Sequence, residues 1–177
     1  MTSDYGGVFG AYPFAFRASE SRLFKLYVVA SALAVALIAL LVTIAVVVLI
    51  GQTAAVQGGS LTLSRAFYVV IGLLVVLPAV APTLVVARRR RRGTDTSSRH
   101  ETALAAAGFL FLLSLYLGLV ASMPETFMLD GETVTRPPPS GLFGPVIAGL
   151  YAIPAIFSWT VPLAGAVLVG LAHRLFR

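Results

Sequence analysis

Four long segments without charged residues constrain this chain more than any other feature of its sequence. Of its 177 residues, 58% are hydrophobic and only 11% are charged, and the charged residues lie in short groups between those segments. A soluble protein of this size could not bury so much apolar side chain, because charged residues must cover its surface. About 20 consecutive apolar residues suffice to cross the hydrocarbon core of a bilayer as a helix. The sequence therefore predicts an integral membrane protein.

The lengths of the apolar segments predict an all-α fold with four transmembrane helices in a single domain, residues 1–177. We predict the spans at residues 26–50, 66–87, 102–123 and 146–172. The fourth apolar segment, residues 142–172, is too long for one upright helix and too short for two full spans. Proline removes a backbone donor and crowds the preceding turn. We therefore expect one helix that enters after Pro145 and bends at Pro154 and Pro162.

Basic residues are distributed unevenly among the segments that connect the spans. Eleven of the thirteen Lys and Arg residues lie in the N-terminal segment, in the loop of residues 88–101 and in the C-terminal tail. Short loops rich in Lys and Arg are retained in the cytoplasm. The sequence therefore predicts that both termini and residues 88–101 are cytoplasmic, and that residues 124–141 form an external loop.

The cytoplasmic loop begins with five consecutive arginines: Arg88, Arg89, Arg90, Arg91 and Arg92. This run is typical of a stop-transfer and topology signal, and each basic residue near an anionic leaflet gains about 1 kcal/mol. We therefore expect contact with anionic lipid headgroups, and a dedicated partner site is the alternative. Nucleic acid is not an expected partner, because the excess positive charge adjoins an apolar segment and a membrane surface is the nearer polyanion.

The external loop carries a hairpin signal at Asp130 and Gly131, which lie between two short β-prone stretches. A type I′ turn needs positive φ at both central residues, which Asp-Gly accommodates. We predict a small extracytoplasmic β-hairpin there. Its carboxylates lack the ordered ligand pattern of a calcium site, and the chain has no cysteine, so we expect no metal and no disulfide.

Two further segments carry local signals at the cytoplasmic side. Ser98 and Glu101 have the spacing of a capping box, whereas His100 lacks a second histidine four residues later and so forms no zinc motif. The aromatic stretch of residues 8–16 is expected to lie along the headgroups, or alternatively to dock a partner. Gly10 and Pro13 argue against a regular helix in that stretch.

Small residues recur every four positions on the third span, at Ser114, Gly118 and Ser122. Such a face lets two helices approach closely, so we expect a tight helix contact there, either within the bundle or between copies.

Prolines occur in pairs in the second and fourth spans, at Pro78 and Pro82 and at Pro154 and Pro162. Paired proline-interrupted helices can line a substrate site, so we predict helix breaks at these four positions.

The predicted spans contain no Asp, Glu, Lys, Arg or His away from their ends. Pumps and proton-coupled carriers need such groups within the bilayer, and hydrolases need a nucleophile with its base or a pair of carboxylates. The sequence therefore predicts a protein that is not an enzyme and has no cofactor.

The residues that enter the first span, 11–24, read AYPFAFRASESRLF. With the arginine-punctuated spans that follow, this segment resembles small four-span membrane proteins of unknown function from halophilic archaea, and the resemblance implies no activity. By elimination we predict an accessory, assembly or scaffold subunit with a membrane protein partner or a second copy. The first alternative is an oligomeric channel or carrier for a neutral or hydrophobic solute, and the second is a lipid-modifying enzyme.

Overall fold

The computed structural model describes residues 7–53, 59–94 and 96–176, and within them the fold is mostly helical. The helices are α1 (Gly7–Ala18), α2 (Arg22–Thr53), α3 (Gly59–Arg91), α4 (Ser98–Ala121), α5 (Gly144–Tyr151) and α6 (Thr160–Leu175). A 3-10 turn at Ala155–Phe157 precedes α6, and the strands are β1 (Thr126–Leu129) and β2 (Glu132–Thr135).

Four helical segments of the described chain are long and apolar enough to cross a membrane, which agrees with a four-helix bundle. They are Arg22–Thr53, Arg65–Arg91, Ser98–Ala121 and Ala155–Leu175. The helices continue past the apolar segments, so that α3 includes the first four arginines and the loop to α4 shortens to residues 92–97. Arginine is a good helix former, and its charge is favourable at a helix C-terminus.

The fourth apolar segment is not the single bent helix that its length suggested. Helix α5 ends at Tyr151, and Pro154 has an extended ψ of 137° before the 3-10 turn. A residue that precedes proline is pushed out of the helical region, so the helix ends before Pro154. Pro162 is the third residue of α6, where a backbone N–H would have no partner within the helix, and it therefore breaks nothing.

Pro78 and Pro82 do not break a helix either, because α3 runs through both. Each proline removes one hydrogen bond, which membrane-type helices tolerate when neighbouring groups satisfy the freed backbone. Between the two prolines, the Tyr27 hydroxyl of α2 donates to the Ala79 carbonyl at 2.6 Å, which ties α2 to this stretch of α3.

The aromatic N-terminal stretch forms a regular helix, contrary to the expectation from Gly10 and Pro13. Helix α1 contains Pro13 internally and packs mainly against α3. Ala11 and Ala15 lie one turn apart and are fully buried, whereas Phe9 is 93% exposed. The small side chains let α1 approach its neighbours closely, and this packing outweighs the one hydrogen bond that Pro13 removes.

The two-stranded hairpin predicted at Asp130 and Gly131 is confirmed. Strands β1 and β2 pair antiparallel, with Thr126 opposite Thr135 and Leu129 opposite Glu132. Asp130 and Gly131 have φ values of 52° and 86°, as a type I′ turn requires.

The main buried core lies at the end of the bundle where α2 begins and α3 ends. Its members come from four helices: Ala11, Ala15, Phe24, Tyr27, Val28, Val86, Ala87, Leu104 and Ala105. All buried residues of α2 lie in its first ten positions, and its remaining apolar side chains are at least partly exposed. Helix α2 is therefore packed near its start and presents apolar surface along the rest of its length.

Helices α4 and α6 form the most extensive helix pair. Ser114 and Gly118 lie on the contacting face: a methyl group on Gly118 would lie 2.9 Å from Cδ of Pro162, and one on Gly165 would overlap Ser114 Oγ. Ser122 closes the helix as its C-cap, and its hydroxyl donates to the Leu119 carbonyl. The close approach of these two helices thus depends on small residues from both sides.

Replacing Gly118 with Leu should destabilise the bundle by about 1 to 3 kcal/mol, because the branched side chain overpacks the contact with Pro162. The free energy of unfolding would be measured by titration with sodium dodecyl sulfate in mild detergent. Gly149→Leu is the matched control, since a side chain there meets nothing within 4 Å. Equal stability of the two variants would contradict the close contact.

Candidate functional site

The first turn of α4 is the point at which the other segments that are rich in basic residues converge. The connection between α1 and α2 reaches it through Ser19 and Ser21, and the end of α3 reaches it through Arg90. The end of α6 approaches it through His173, whose ring centroid lies 5.5 Å from that of His100. Five helix ends that carry the basic residues are thereby brought to one end of the molecule.

Glu101 is the centre of this convergence, and its side chain is fully buried. Its Oε1 accepts from Nη2 of Arg90 at 2.8 Å and from Nε at 3.1 Å. Its Oε2 accepts from Oγ of Ser19 at 2.7 Å and from the backbone N–H of Ser21 at 3.4 Å. One carboxylate therefore joins α3 to the connection between α1 and α2.

The network continues on both sides of the carboxylate. Nη2 of Arg90 also donates to the Thr96 carbonyl at 3.3 Å, which holds the loop between α3 and α4. The Ser21 and Thr102 hydroxyls are 3.0 Å apart, and Ser21 Oγ accepts from the Phe24 backbone N–H in the first turn of α2. A buried charge is stable only when it is paired and hydrogen-bonded, and here both oxygens of Glu101 are engaged.

This arrangement replaces the capping box that the spacing of Ser98 and Glu101 suggested. Ser97 is the N-cap of α4, and its Oγ accepts from the His100 backbone N–H at 3.2 Å. The Glu101 carboxylate turns away from its own helix because a cation and a hydroxyl lie across the interface, and a charge-assisted hydrogen bond is stronger than a neutral one.

The five arginines of the basic run have different surroundings. Arg90 points inward to Glu101 with only 19% of its side chain exposed. Arg89 is half-buried and interacts electrostatically with His100, whereas Arg88, Arg91 and Arg92 are exposed. Local sequence cannot separate these roles, because all five residues are identical and adjacent.

Exposed basic residues from all five helix ends surround the buried Glu101 network. We call this surface the basic collar, and its members are Arg17, Arg22, Arg88, Arg92, Arg99 and Arg174. They are up to 157 positions apart in sequence, and they lie at one end of the molecule because the helix ends converge. The collar is therefore a product of the fold, whereas the arginine run alone is a local feature.

Tyr27 connects α2 to α3 and α4 one turn farther into the bundle. Its hydroxyl donates to the Ala79 carbonyl, and its ring meets Phe109 edge-on with centroids 5.3 Å apart. The ring also lies against Gly108, where any side chain would overlap it. The absence of a side chain at Gly108 thus lets an aromatic residue fill the space between three helices.

Tyr12 of α1 lies in the same region, beside the Ser31 and Thr83 hydroxyls. Burial raises the pKa of the Tyr12 phenol above its usual value, and the two hydroxyls act in the opposite direction. Tyr12 is therefore a neutral member of the packed end and does not add to the charge of the collar.

In the described residues, no group of three or more His, Asp or Glu side chains could hold a metal ion. Glu101 is occupied by Arg90 and Ser19, and the two histidines form a pair without a third ligand. The chemistry that the site offers is instead a set of guanidinium groups on a rigid support. Guanidinium groups bind phosphate and carboxylate with bidentate hydrogen bonds.

Replacing Glu101 with Gln should cost on the order of 3 kcal/mol of stability, because Arg90 would be left in a largely buried position without its counter-charge. The measurement is detergent unfolding, with Glu125→Gln as the matched control. Glu125 is 85% exposed and lies 3.7 Å from Arg136, so its loss should change stability by less than about 0.5 kcal/mol. A cost for Glu101→Gln as small as that of the control would contradict the central role of this pair.

Comparison with known proteins identifies the family and gives no activity. No match is found among curated proteins or among solved structures. One family profile, described as a domain of unknown function (DUF8056), matches residues 1–177. The chain therefore belongs to the DUF8056 family along its whole length.

Proposed function

We propose that the protein is a non-enzymatic, four-helix membrane protein that acts as an accessory or scaffold subunit and is anchored by its basic collar to anionic lipid headgroups. The observation that carries this proposal is the convergence of basic residues from five helix ends on the buried Glu101 network. The Glu101 network joins three segments and so holds the collar in one geometry. A fixed arrangement of basic residues suits a binding surface that performs no catalysis.

The same convergence supports a topology with both termini in the cytoplasm. The collar is at the end of the bundle where α2 begins and α6 ends, and α4 alone extends about 36 Å from it to the opposite end at 1.5 Å per residue. The hairpin of β1 and β2 follows α4 at that opposite end. Segments rich in Arg are retained in the cytoplasm, so the collar would face inward and the hairpin outward.

The energy available at the collar is sufficient for anchoring. Each basic residue near an anionic leaflet contributes about 1 kcal/mol, so that six contribute on the order of several kcal/mol. Hydrophobic burial of the spans holds the protein in the bilayer, and the collar would set which lipids and which acidic partner surfaces gather at its inner end.

The placement of buried polar groups favours an anchoring role over a channel or carrier for a polar solute. In the described part of the chain these groups are Ser19, Ser21, Ser31, Thr83, Thr96, His100, Glu101 and Ser114. All except Ser114 lie in the half of the bundle that carries the collar. A pathway for a polar solute would need such groups along the full depth of the bilayer, whereas a rigid anchor needs them at one end.

Cysteines introduced singly at Thr94 and Thr133 should be labelled from opposite sides of the membrane by an impermeant thiol reagent. Both positions are exposed, and the chain has no native cysteine to interfere. In intact cells, Thr133→Cys should react and Thr94→Cys should react only after permeabilisation. Labelling of Thr94→Cys in intact cells would overturn the proposed topology.

The reconstituted protein should prefer phosphatidylglycerol over phosphatidylcholine in its lipid shell, the layer of lipids that surrounds it. Simultaneous substitution of Arg88, Arg92 and Arg99 by Gln should abolish most of this preference. Electron paramagnetic resonance of spin-labelled lipids measures this preference, which should also fall with salt because exposed charges are screened. The triple Lys variant keeps the charge and is the control. A Gln variant with unchanged selectivity would reject the collar as the lipid-binding surface.

A further inference from the structure

A lateral groove of about 380 Å³ runs between α3 and α6 and ends at the basic collar. Its α3 wall extends over nine residues, from Leu77 to Val85, a rise of about 12 Å along the helix. The residues that shape it are Pro78, Pro82, Leu104, Ala166, Gly170 and His173. The groove is thus apolar along its length and has a polar side chain at the end nearest the collar.

The groove exists because small residues line its α6 wall. Ala166 and Gly170 lie one turn apart on α6, and a side chain added to Gly170 would meet nothing within 4 Å. Helices α3 and α6 accordingly pack loosely against each other, and Leu104 of α4 is part of the lining between them. The space is open to the side of the bundle, where a membrane lipid would enter it.

Positive charge is concentrated at the collar end of the groove. His173 lines it, and the His173 ring lies 5.5 Å from the tilted ring of His100. His100 in turn interacts electrostatically with Arg89 at the end of α3. Arg174 follows His173 at the end of α6 and is exposed. Among the residues that the structure describes, Glu101 is the one buried acid, and it is already paired with Arg90. The charge at this end therefore complements an anion and does not complement a cation or a neutral headgroup.

We propose that this groove is a specific site for one anionic phospholipid, with an acyl chain between α3 and α6 and the phosphate at Arg89, His173 and Arg174. The length of the groove supports a lipid of a single leaflet, since half of a 30 Å hydrocarbon core is about 15 Å. A free phosphate ion would use only the charged end, whereas a phospholipid uses the charged end and the apolar walls together.

This inference rests on the proposed function, because that function places the basic collar at an anionic membrane surface. The groove adds one defined binding site to the general preference of the collar for anionic lipids. The collar gathers anionic lipids through charge alone and exchanges them readily. The groove adds apolar contact along a chain, so it would retain one lipid after the others are removed by detergent.

The test is native mass spectrometry of the purified protein in mild detergent with added phosphatidylglycerol or phosphatidylcholine. The wild type should retain one phosphatidylglycerol. Gly170→Phe fills the groove and should weaken that retention about tenfold, equivalent to about 1.4 kcal/mol. Gly149→Phe, at an equally open position outside the groove, should behave as the wild type. Gly170→Leu is a milder second variant, and the melting temperature of each variant verifies folding.

The outcomes distinguish retention of a single lipid in the groove from the lipid selectivity of the collar. Full retention of phosphatidylglycerol by folded Gly170→Phe and Gly170→Leu would overturn the groove, and equal retention of phosphatidylcholine by the wild type would overturn the charged end. Arg89→Gln should weaken retention of phosphatidylglycerol while leaving the averaged selectivity of the lipid shell nearly unchanged. A variant of Arg88, Arg92 and Arg99 that loses shell selectivity but keeps the single lipid would support both proposals as separate properties.

Discussion

The buried ion pair between Glu101 and Arg90 is the interaction on which the rest of this structure depends. An ionised carboxylate in an apolar core is costly unless its partners are in place, and Glu101 finds them on the end of α3 and on the connection between α1 and α2. The Glu101 carboxylate therefore has all of its hydrogen-bond partners only when three segments are in position at once. The same requirement brings the ends of α1, α2, α3 and α4 together and produces the basic collar.

Packing around this pair is made by small residues that admit large neighbours. Gly108 accommodates the Tyr27 ring, whose hydroxyl in turn reaches the Ala79 carbonyl, and Gly118 and Gly165 bring α4 against α6. Helices without a strong apolar drive between them associate through such close approach and through hydrogen bonds. The result is a bundle that is dense near the collar, with the remaining length of α2 exposing apolar surface.

The proposed site and the proposed anchor share one physical origin. Convergence of helix ends places guanidinium groups on a rigid support, and loose packing of α3 against α6 leaves an apolar groove that ends among them. Neither feature contains a metal-ligand set in the described chain. The proposed arrangement suits the binding of amphiphilic anions, because it offers charge and apolar surface side by side.

The helical fold, the four apolar segments and the hairpin could all be predicted from the sequence, because hydropathy over 20 residues and positive φ at Asp130 and Gly131 are local properties. The sequence also identified the small-residue face at Ser114 and Gly118. Tertiary structure alone decided that α1 is helical despite Pro13, that Pro78 and Pro82 leave α3 intact, and that Arg90 differs from its four neighbours. Glu101 lies 82 residues from Ser19, and local spacing favoured a cap within its own helix. Its partners follow from which helix ends meet, a long-range outcome of packing that no local pattern encodes.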